Sequence, residues 1–222
     1  MMQRFILVSL LCLLAPPAPA LAQSWVEFAS QDDRFSCLFP TSPGVTLTTW
    51  TSEYGAVLPA RVYESVQGRG RYALTVVDYS PVERLLAEKS KVCPAGAETC
   101  QGIADTGLGY WKNDVRGAIV YAASRLLEQD VKLVRVMWNF QQMVQGEELQ
   151  VIHPDKSRTW ASIYMHEDRL IMLEATIPAG YPPPTLFTQS LAWLDAGGKG
   201  IRYNTIYINA PDVTKPTSRP QQ

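Results

Sequence analysis

Histidine, cysteine and charge are all scarce in this 222-residue chain. Two histidines, His153 and His166, are all that a histidine-based catalytic or metal site can use. Only 18% of the residues are charged and the formal net charge is −1. That balance excludes the clustered basic surface by which proteins bind nucleic acids. No apolar run reaches the ~20 residues that a membrane-spanning helix needs.

The longest apolar run, Phe5–Leu14, has the pattern of a secretory signal peptide. Arg4 supplies a positive charge before it, and a Pro/Ala segment leads to an Ala-Leu-Ala sequence that ends at Ala22. We therefore predict that residues 1–22 are a signal peptide cleaved after Ala22. The mature chain is expected in the periplasm or the medium, without a membrane span.

Export changes the interpretation of the cysteines, because a close pair in an oxidising compartment usually forms a disulfide. Cys93 and Cys100 flank a turn that contains proline and glycine, which predicts a structural disulfide between them. Cys37 alternates with Phe35 and Phe39 along a predicted strand, which predicts a buried free thiol. Neither histidine lies near the cysteines in sequence, so we predict no metal site and no cofactor.

The hydrophobic periodicity predicts a single α+β domain over residues 23–210, in which about three helices cover an antiparallel sheet. Residues 25–79 have the period and turns of strands. The predicted helices are Ser80–Lys91, Asn113–Glu128 and Pro182–Leu194. The predicted meander between the last two helices comprises Leu133–Val144, Glu148–His153, Ser157–His166 and Arg169–Ile177. From residue 211 to 222 the chain is a proline-rich tail without apolar periodicity, which predicts disorder.

Within the meander, Leu133–Val144 alternates with period two, and we predict that one of its faces is buried. The residues of that face are Val134, Val136, Trp138 and Phe140. Both histidines precede predicted turns at opposite ends of the sheet, more than about 20 Å apart. We therefore predict that they are solvated and share no metal ion.

Local catalytic motifs are missing: the sequence has neither a Gly-x-Ser-x-Gly elbow nor a His-Glu-x-x-His pair. The acidic pairs Asp32-Asp33 and Glu147-Glu148 fall in predicted turns, where carboxylates are usually solvated. The six tryptophans and ten tyrosines are expected mainly in the core. Alternatively, they line a cleft between the sheet and the helices that binds a small ligand or a peptide. Arg69 and Arg71 would then be available to contact an anion.

The N-terminal strands carry a resemblance to a known group of proteins. Trp25-x2-Phe28 is followed by the segment Arg34–Pro40, RFSCLFP, and by Pro43. This pattern resembles uncharacterised exported bacterial proteins that begin with an F-S-x-x-F-P strand. Their element order is similar to the PsbP-like α/β/α sandwich. The resemblance implies a fold without a common catalytic centre and transfers no functional residue.

These observations together predict a non-enzymatic exported accessory or binding protein of the cell envelope. Its expected partner is a small molecule, a peptide or another envelope protein. The alternative is a periplasmic hydrolase whose catalytic carboxylates come from distant parts of the sequence.

Overall fold

The computed structural model describes residues 25–92, 110–211 and 213–221. The predicted signal peptide, Cys93 and Cys100 lie outside these residues, so the cleavage site and the disulfide stay predictions. No helix in the described ranges has the length and apolar character to cross a membrane.

The described residues form twelve strands and three helices. The strands are β1 (Val26–Ser30), β2 (Phe35–Phe39), β3 (Gly44–Thr51), β4 (Val57–Gln67), β5 (Gly70–Asp78), β6 (Lys132–Gln141), β7 (Val144–Ile152), β8 (Arg158–His166), β9 (Arg169–Ile177), β10 (Ala192–Leu194), β11 (Gly200–Tyr203) and β12 (Ser218–Pro220). The helices are α1 (Val82–Ser90), α2 (Tyr110–Leu127) and α3 (Thr185–Thr188).

Two antiparallel sheets replace the single predicted one, within the α+β class that the periodicity indicated. The larger sheet has seven strands in the order β3-β4-β5-β9-β8-β7-β6, and the smaller has five in the order β1-β2-β10-β11-β12. The four-stranded meander from β6 to β9 is present as predicted. It joins the N-terminal strands through the β5–β9 ladder.

The seven-stranded sheet has two differently covered faces, which we call the helix face and the small-sheet face. On the helix face, α1 and α2 pack over aliphatic residues such as Val77, Leu149 and Leu170. On the small-sheet face, α3 and the five-stranded sheet enclose an aromatic core that includes Tyr164 and Trp193. Since both faces of β8 are covered, all of its residues after Arg158 are buried, and the strand lacks a polar face.

The predicted helix Pro182–Leu194 is wrong except for the four residues of α3, Thr185–Thr188. Helix α3 ends at Thr188, and the chain then enters β10, which pairs with β2 and β11. Leu191 and Trp193 are both fully buried with a spacing of two. The segment therefore becomes a strand, because that conformation buries both side chains in the core between the sheets, although the preceding residues have helical spacing.

The structure also differs from the prediction of a disordered tail. Ser218–Pro220 pairs with β11, and the side-chain amide of Gln221 donates to the Ile201 carbonyl oxygen at 3.3 Å. The proline at the end of this three-residue strand is compatible with its position, because β12 is an edge strand.

Candidate interaction site

Strand β6 forms one edge of the seven-stranded sheet and is largely exposed along its length. Helix α2 packs on β7 and β8, and the helix-face side chains of β6 stay exposed. The prediction that Val134, Val136, Trp138 and Phe140 are buried is therefore wrong. The exposed fractions are 67% for Trp138, 54% for Val136 and 46% for Phe140.

The apolar residues on the helix face of this strand form an exposed patch, which we call the β6 surface. They are Leu133, Val136, Trp138 and Phe140. A fully exposed aromatic side chain presents about 150–250 Å², so the four together expose a few hundred Å² of apolar area. A patch of that size matches the largest apolar patch of a typical soluble monomer, and such a patch is often an interaction site.

The backbone of β6 also has groups that no described strand pairs, and their positions follow from its hairpin with β7. Gln142 and Met143 form a two-residue turn with positive φ angles of 50° and 72°. Because such a turn pairs its flanking residues by hydrogen bonds, the N–H and C=O groups of alternate residues point away from β7. These outward-facing residues are Val136, Trp138 and Phe140.

Polar side chains on the small-sheet face of β6 are already engaged. Arg135 forms an ion pair with Glu148, and the Asn139 amide donates to the Tyr164 hydroxyl at 2.8 Å. The Gln141 amide donates to the backbone oxygen of Leu191. The polar side chains of the small-sheet face of β6 are thus bonded to the protein itself, with Met137 exposed between them, whereas the helix face offers only apolar side chains.

His166 lies on the small-sheet face and is 1% exposed, so the prediction that it is solvated is wrong. Its ring packs 4.5 Å from that of Trp193, and its Nε2 hydrogen-bonds the Tyr203 hydroxyl at 2.8 Å. Burial, together with the positive charges of Arg169, Lys215 and Arg34, lowers the pKa of His166 to about 3. The imidazole is therefore neutral at pH 7 and has a packing role.

His153 lies near the opposite end of β8, as predicted, so the two imidazoles share no site. It is half-buried, and its Nε2 hydrogen-bonds the Thr159 hydroxyl at 2.7 Å. Among the described residues, no group of three or more His, Cys, Asp or Glu side chains is placed to hold a metal ion.

Asp114 is a fully buried carboxylate on α2 that the sequence analysis did not single out. Ser52 Oγ donates to its Oδ2, whereas its Oδ1 accepts no hydrogen bond from the described residues. Burial raises the pKa of Asp114 to about 6, and the Ser52 hydrogen bond opposes that shift. The Trp50 indole N–H and the Tyr79 hydroxyl are likewise buried and unsatisfied within the described ranges.

The prediction that both acidic pairs lie in solvated turns is wrong for Asp33 and for the pair Glu147-Glu148. Asp33 is buried, accepts a 2.6 Å hydrogen bond from the Tyr63 hydroxyl and pairs with the Arg61 guanidinium at 2.5 Å. A cavity of about 400 Å³ adjoins this network. Glu147 and Glu148 lie within β7, and desolvation raises the pKa of Glu147 beside Trp138.

The aromatic residues occupy a different place from the predicted cleft. In the described part of the chain, most of them fill the core between the two sheets, including Trp160 and Trp193. Trp138 alone among these tryptophans is more than half exposed. Arg71 pairs with Glu64 at 2.5 Å, and Arg69 is exposed in a tight turn. Cys37 is a buried free thiol as predicted, 3.2 Å from Ser190 Oγ, and burial raises its pKa to about 12.

Sequence reasoning missed the β6 surface although one signal pointed to it. The first strand of a meander has a neighbour on one side only, unless another part of the chain returns to pair with it. Glu147 and Glu148 on the neighbouring strand are a second signal, because adjacent carboxylates are rarely enclosed on both faces of a sheet.

No family model matches the chain, and no curated protein matches it. Among solved structures, the chain is similar to the solution structure of cyanobacterial PsbP (CyanoP) from Synechocystis. The similarity covers 75% of this chain and 87% of that one, with 13% sequence identity and a TM-score of 0.38.

Proposed function

We propose that this chain is an exported, non-enzymatic accessory or binding protein of the cell envelope, which binds another protein through the β6 surface. The observation that carries the proposal is the exposed edge strand with Trp138 at its centre. Aromatic residues dominate the binding energy of many protein interfaces. The secretory pattern of residues 1–22 supports the cell envelope as the location.

A protein partner is favoured over a small molecule by the chemistry of the two candidate sites. The cavity beside Asp33 is large enough for a small ligand. However, the carboxylate of Asp33 is already neutralised by Arg61 and hydrogen-bonded by Tyr63. The β6 surface combines unpaired backbone groups with apolar side chains, both of which an added polypeptide satisfies.

The hydrolase alternative requires two carboxylates about 5–10 Å apart in one accessible site. Desolvation raises the pKa values of Glu147 and Glu174. The ladder registers separate these residues by two strands and two positions, which places their Cα atoms about 12 Å apart. Asp114 also has a raised pKa but is fully buried. The exposed apolar residues of the β6 surface are therefore the stronger observation, and they favour a binding protein.

Export is tested by measuring the intact mass of the protein recovered from the periplasm. We expect a chain that begins at Gln23. Retention of residues 1–22 in a membrane fraction would contradict the proposed location.

Binding is tested by capturing envelope proteins with the wild type, with Trp138→Glu and with Leu47→Glu. Leu47 is the matched control, since it is also exposed and lies on β3, the other edge of the same sheet. A partner retained by the wild type and Leu47→Glu but lost by Trp138→Glu, and then rebound as a purified protein, supports the proposal. Equal capture by all three forms contradicts it.

A further inference from the structure

We propose that the β6 surface takes an extended polypeptide segment as an eighth strand of the large sheet, and that this segment alternates apolar and polar residues. The inference rests on the proposed function and specifies the chemistry of the partner. It follows from three features of β6: its outward backbone groups, the different chemistry of its two faces and the structures that limit its ends.

The outward backbone groups determine the kind of contact. Val136 and Trp138 present N–H and C=O groups that no strand of the described residues pairs, because β6 is the edge of the sheet. A polypeptide in the extended conformation satisfies these groups through a β-ladder. Lipid acyl chains offer them no hydrogen bond, so the same surface does not suit insertion into a bilayer.

The side chains of β6 determine the sequence pattern of the added segment. Val136 and Trp138 lie opposite Leu149 and Glu147 of β7, and Leu149 belongs to the core of the helix face. The helix face of β6 is therefore apolar. An added strand places every second side chain beside these residues, where apolar and aromatic groups are favoured. Its intervening side chains lie on the opposite face, beside Met137 and the polar side chains of Arg135 and Asn139 that flank it.

Both ends of the exposed ladder are limited by local structure. A β-bulge between Leu133 and Arg135 interrupts the register at one end. At the other end the Phe140 N–H donates to the side-chain oxygen of Asn139 at 2.8 Å. The free ladder is therefore centred on Val136 and Trp138, and a segment of about five or six residues covers it.

The bonded N–H of Phe140 also favours a different chain over a second copy of this one. In a twofold β6–β6 ladder, the Phe140 N–H of both strands is already bonded within its own chain, so two ladder hydrogen bonds are missing. When a segment of another protein is added, only one is missing.

The inference is tested with peptides selected from a random seven-residue library for binding to the purified wild type. Selected sequences are expected to alternate apolar and polar residues. Their affinity is measured by the fluorescence anisotropy of labelled peptides, against control peptides of equal composition in which the apolar residues are consecutive. Control peptides that bind as tightly as the selected ones contradict the inference.

The backbone contribution is tested by Val136→Pro, which removes an outward N–H and leaves the ladder with β7 intact. Val136→Ile is the matched control, because it keeps the N–H and the apolar side chain. We expect Val136→Pro to weaken binding at least about tenfold and Val136→Ile to change it less than about threefold. Peptides that are N-methylated at alternate positions test the same hydrogen bonds from the other side, without altering the fold of the protein.

The outcomes separate the inference from the proposed function. If a purified partner still requires Trp138 while Val136→Pro and N-methylation change nothing, the β6 surface binds a folded face and only the strand inference fails. If Trp138→Glu retains every partner, both fail. If the wild type sediments as a dimer that Trp138→Glu dissociates, the occupant is a second copy and the inference is wrong.

Discussion

The two faces of the seven-stranded sheet bury their polar groups in different ways. On the small-sheet face, the His166 imidazole is hydrogen-bonded to Tyr203 and enclosed by aromatic rings. On the helix face, Asp114 keeps one oxygen without a hydrogen bond from the described residues. Burial disfavours the charged form of both groups, and this lowers one pKa and raises the other. The two faces of one sheet thus adjoin buried groups that change the free energy of unfolding in opposite directions as the pH changes.

The faces also differ in how completely they are covered. On the small-sheet face, Asn139 and Gln141 connect β6 to the rest of the protein through hydrogen bonds. On the helix face, the same strand exposes Val136, Trp138 and Phe140. Strand β6 is thus held in place through one face, while the apolar side chains of its other face stay exposed.

The largest expected effect concerns His166. Its folded pKa, about 3, lies below the value near 6.5 of an unfolded histidine, so the unfolded state binds more protons between these pH values. The free energy of unfolding therefore decreases as the pH falls from about 6.5 to about 3. Relative to His166→Phe, the wild type is expected to lose on the order of 4 kcal/mol of unfolding free energy between pH 7 and pH 3.

Urea titrations at several pH values measure this difference. His153→Ala is the control, because that side chain is only half-buried. An equal acid dependence in the wild type and His166→Phe would show that His166 is not a buried neutral group.

A second prediction tests how tightly the small-sheet face is packed. A Cβ atom at Gly146 would lie 2.3 Å from both the Ile163 carbonyl oxygen and the Tyr164 ring. Gly146→Ala is therefore expected to cost about 3 kcal/mol through overpacking. At Gly44 on the β3 edge, the nearest atom lies 3.9 Å away, and Gly44→Ala should change stability far less. Thermal unfolding of both variants decides the matter, and equal melting temperatures would contradict the prediction.

The opposite pH response is expected from Asp114. Its folded pKa, about 6, lies above the unfolded value near 3.9, so the folded state binds more protons between these values. The unfolding free energy should fall as the pH rises from about 4 to about 7, by on the order of 2–3 kcal/mol relative to Asp114→Asn. Denaturant titrations of both forms measure this contribution, and the absence of a pH-dependent difference would refute it.

The smallest effect on stability is expected at the β6 surface. Trp138→Ser removes a side chain that is 67% exposed, and its unfolding free energy should stay within about 0.5 kcal/mol of the wild type. Trp193→Ala on the small-sheet face is the contrast, with an expected loss of about 3–5 kcal/mol. A destabilisation of similar size in both variants would mean that Trp138 belongs to the core and would remove the basis of the proposed function.

Several parts of the fold were predictable because they depend on local periodicity. The α+β class, the meander from β6 to β9 and the buried thiol of Cys37 all follow from alternation along single segments. The first helix was also predictable, since Val82 and Leu86 are the residues that α1 buries. These predictions are confirmed because each segment carries its own signal.

The candidate site was not predictable, because local periodicity does not show which face of a strand other elements cover. Alternation in Leu133–Val144 shows that two faces of the strand differ, but it does not show whether anything covers the apolar one. Coverage depends on where α2 crosses the sheet, and α2 packs on β7 and β8. Likewise, a histidine before a turn is usually solvated, yet the five-stranded sheet places Trp193 and Tyr203 against His166.

Local patterns along the chain account for the periods of the main strands and helices and for the apolar character of the β6 residues. The burial of Trp193 and the exposure of Trp138 follow from the tertiary structure alone, because a residue's burial depends on neighbours that are distant in sequence. Trp193 lies between the two sheets, whereas Trp138 lies on an edge strand and is 67% exposed.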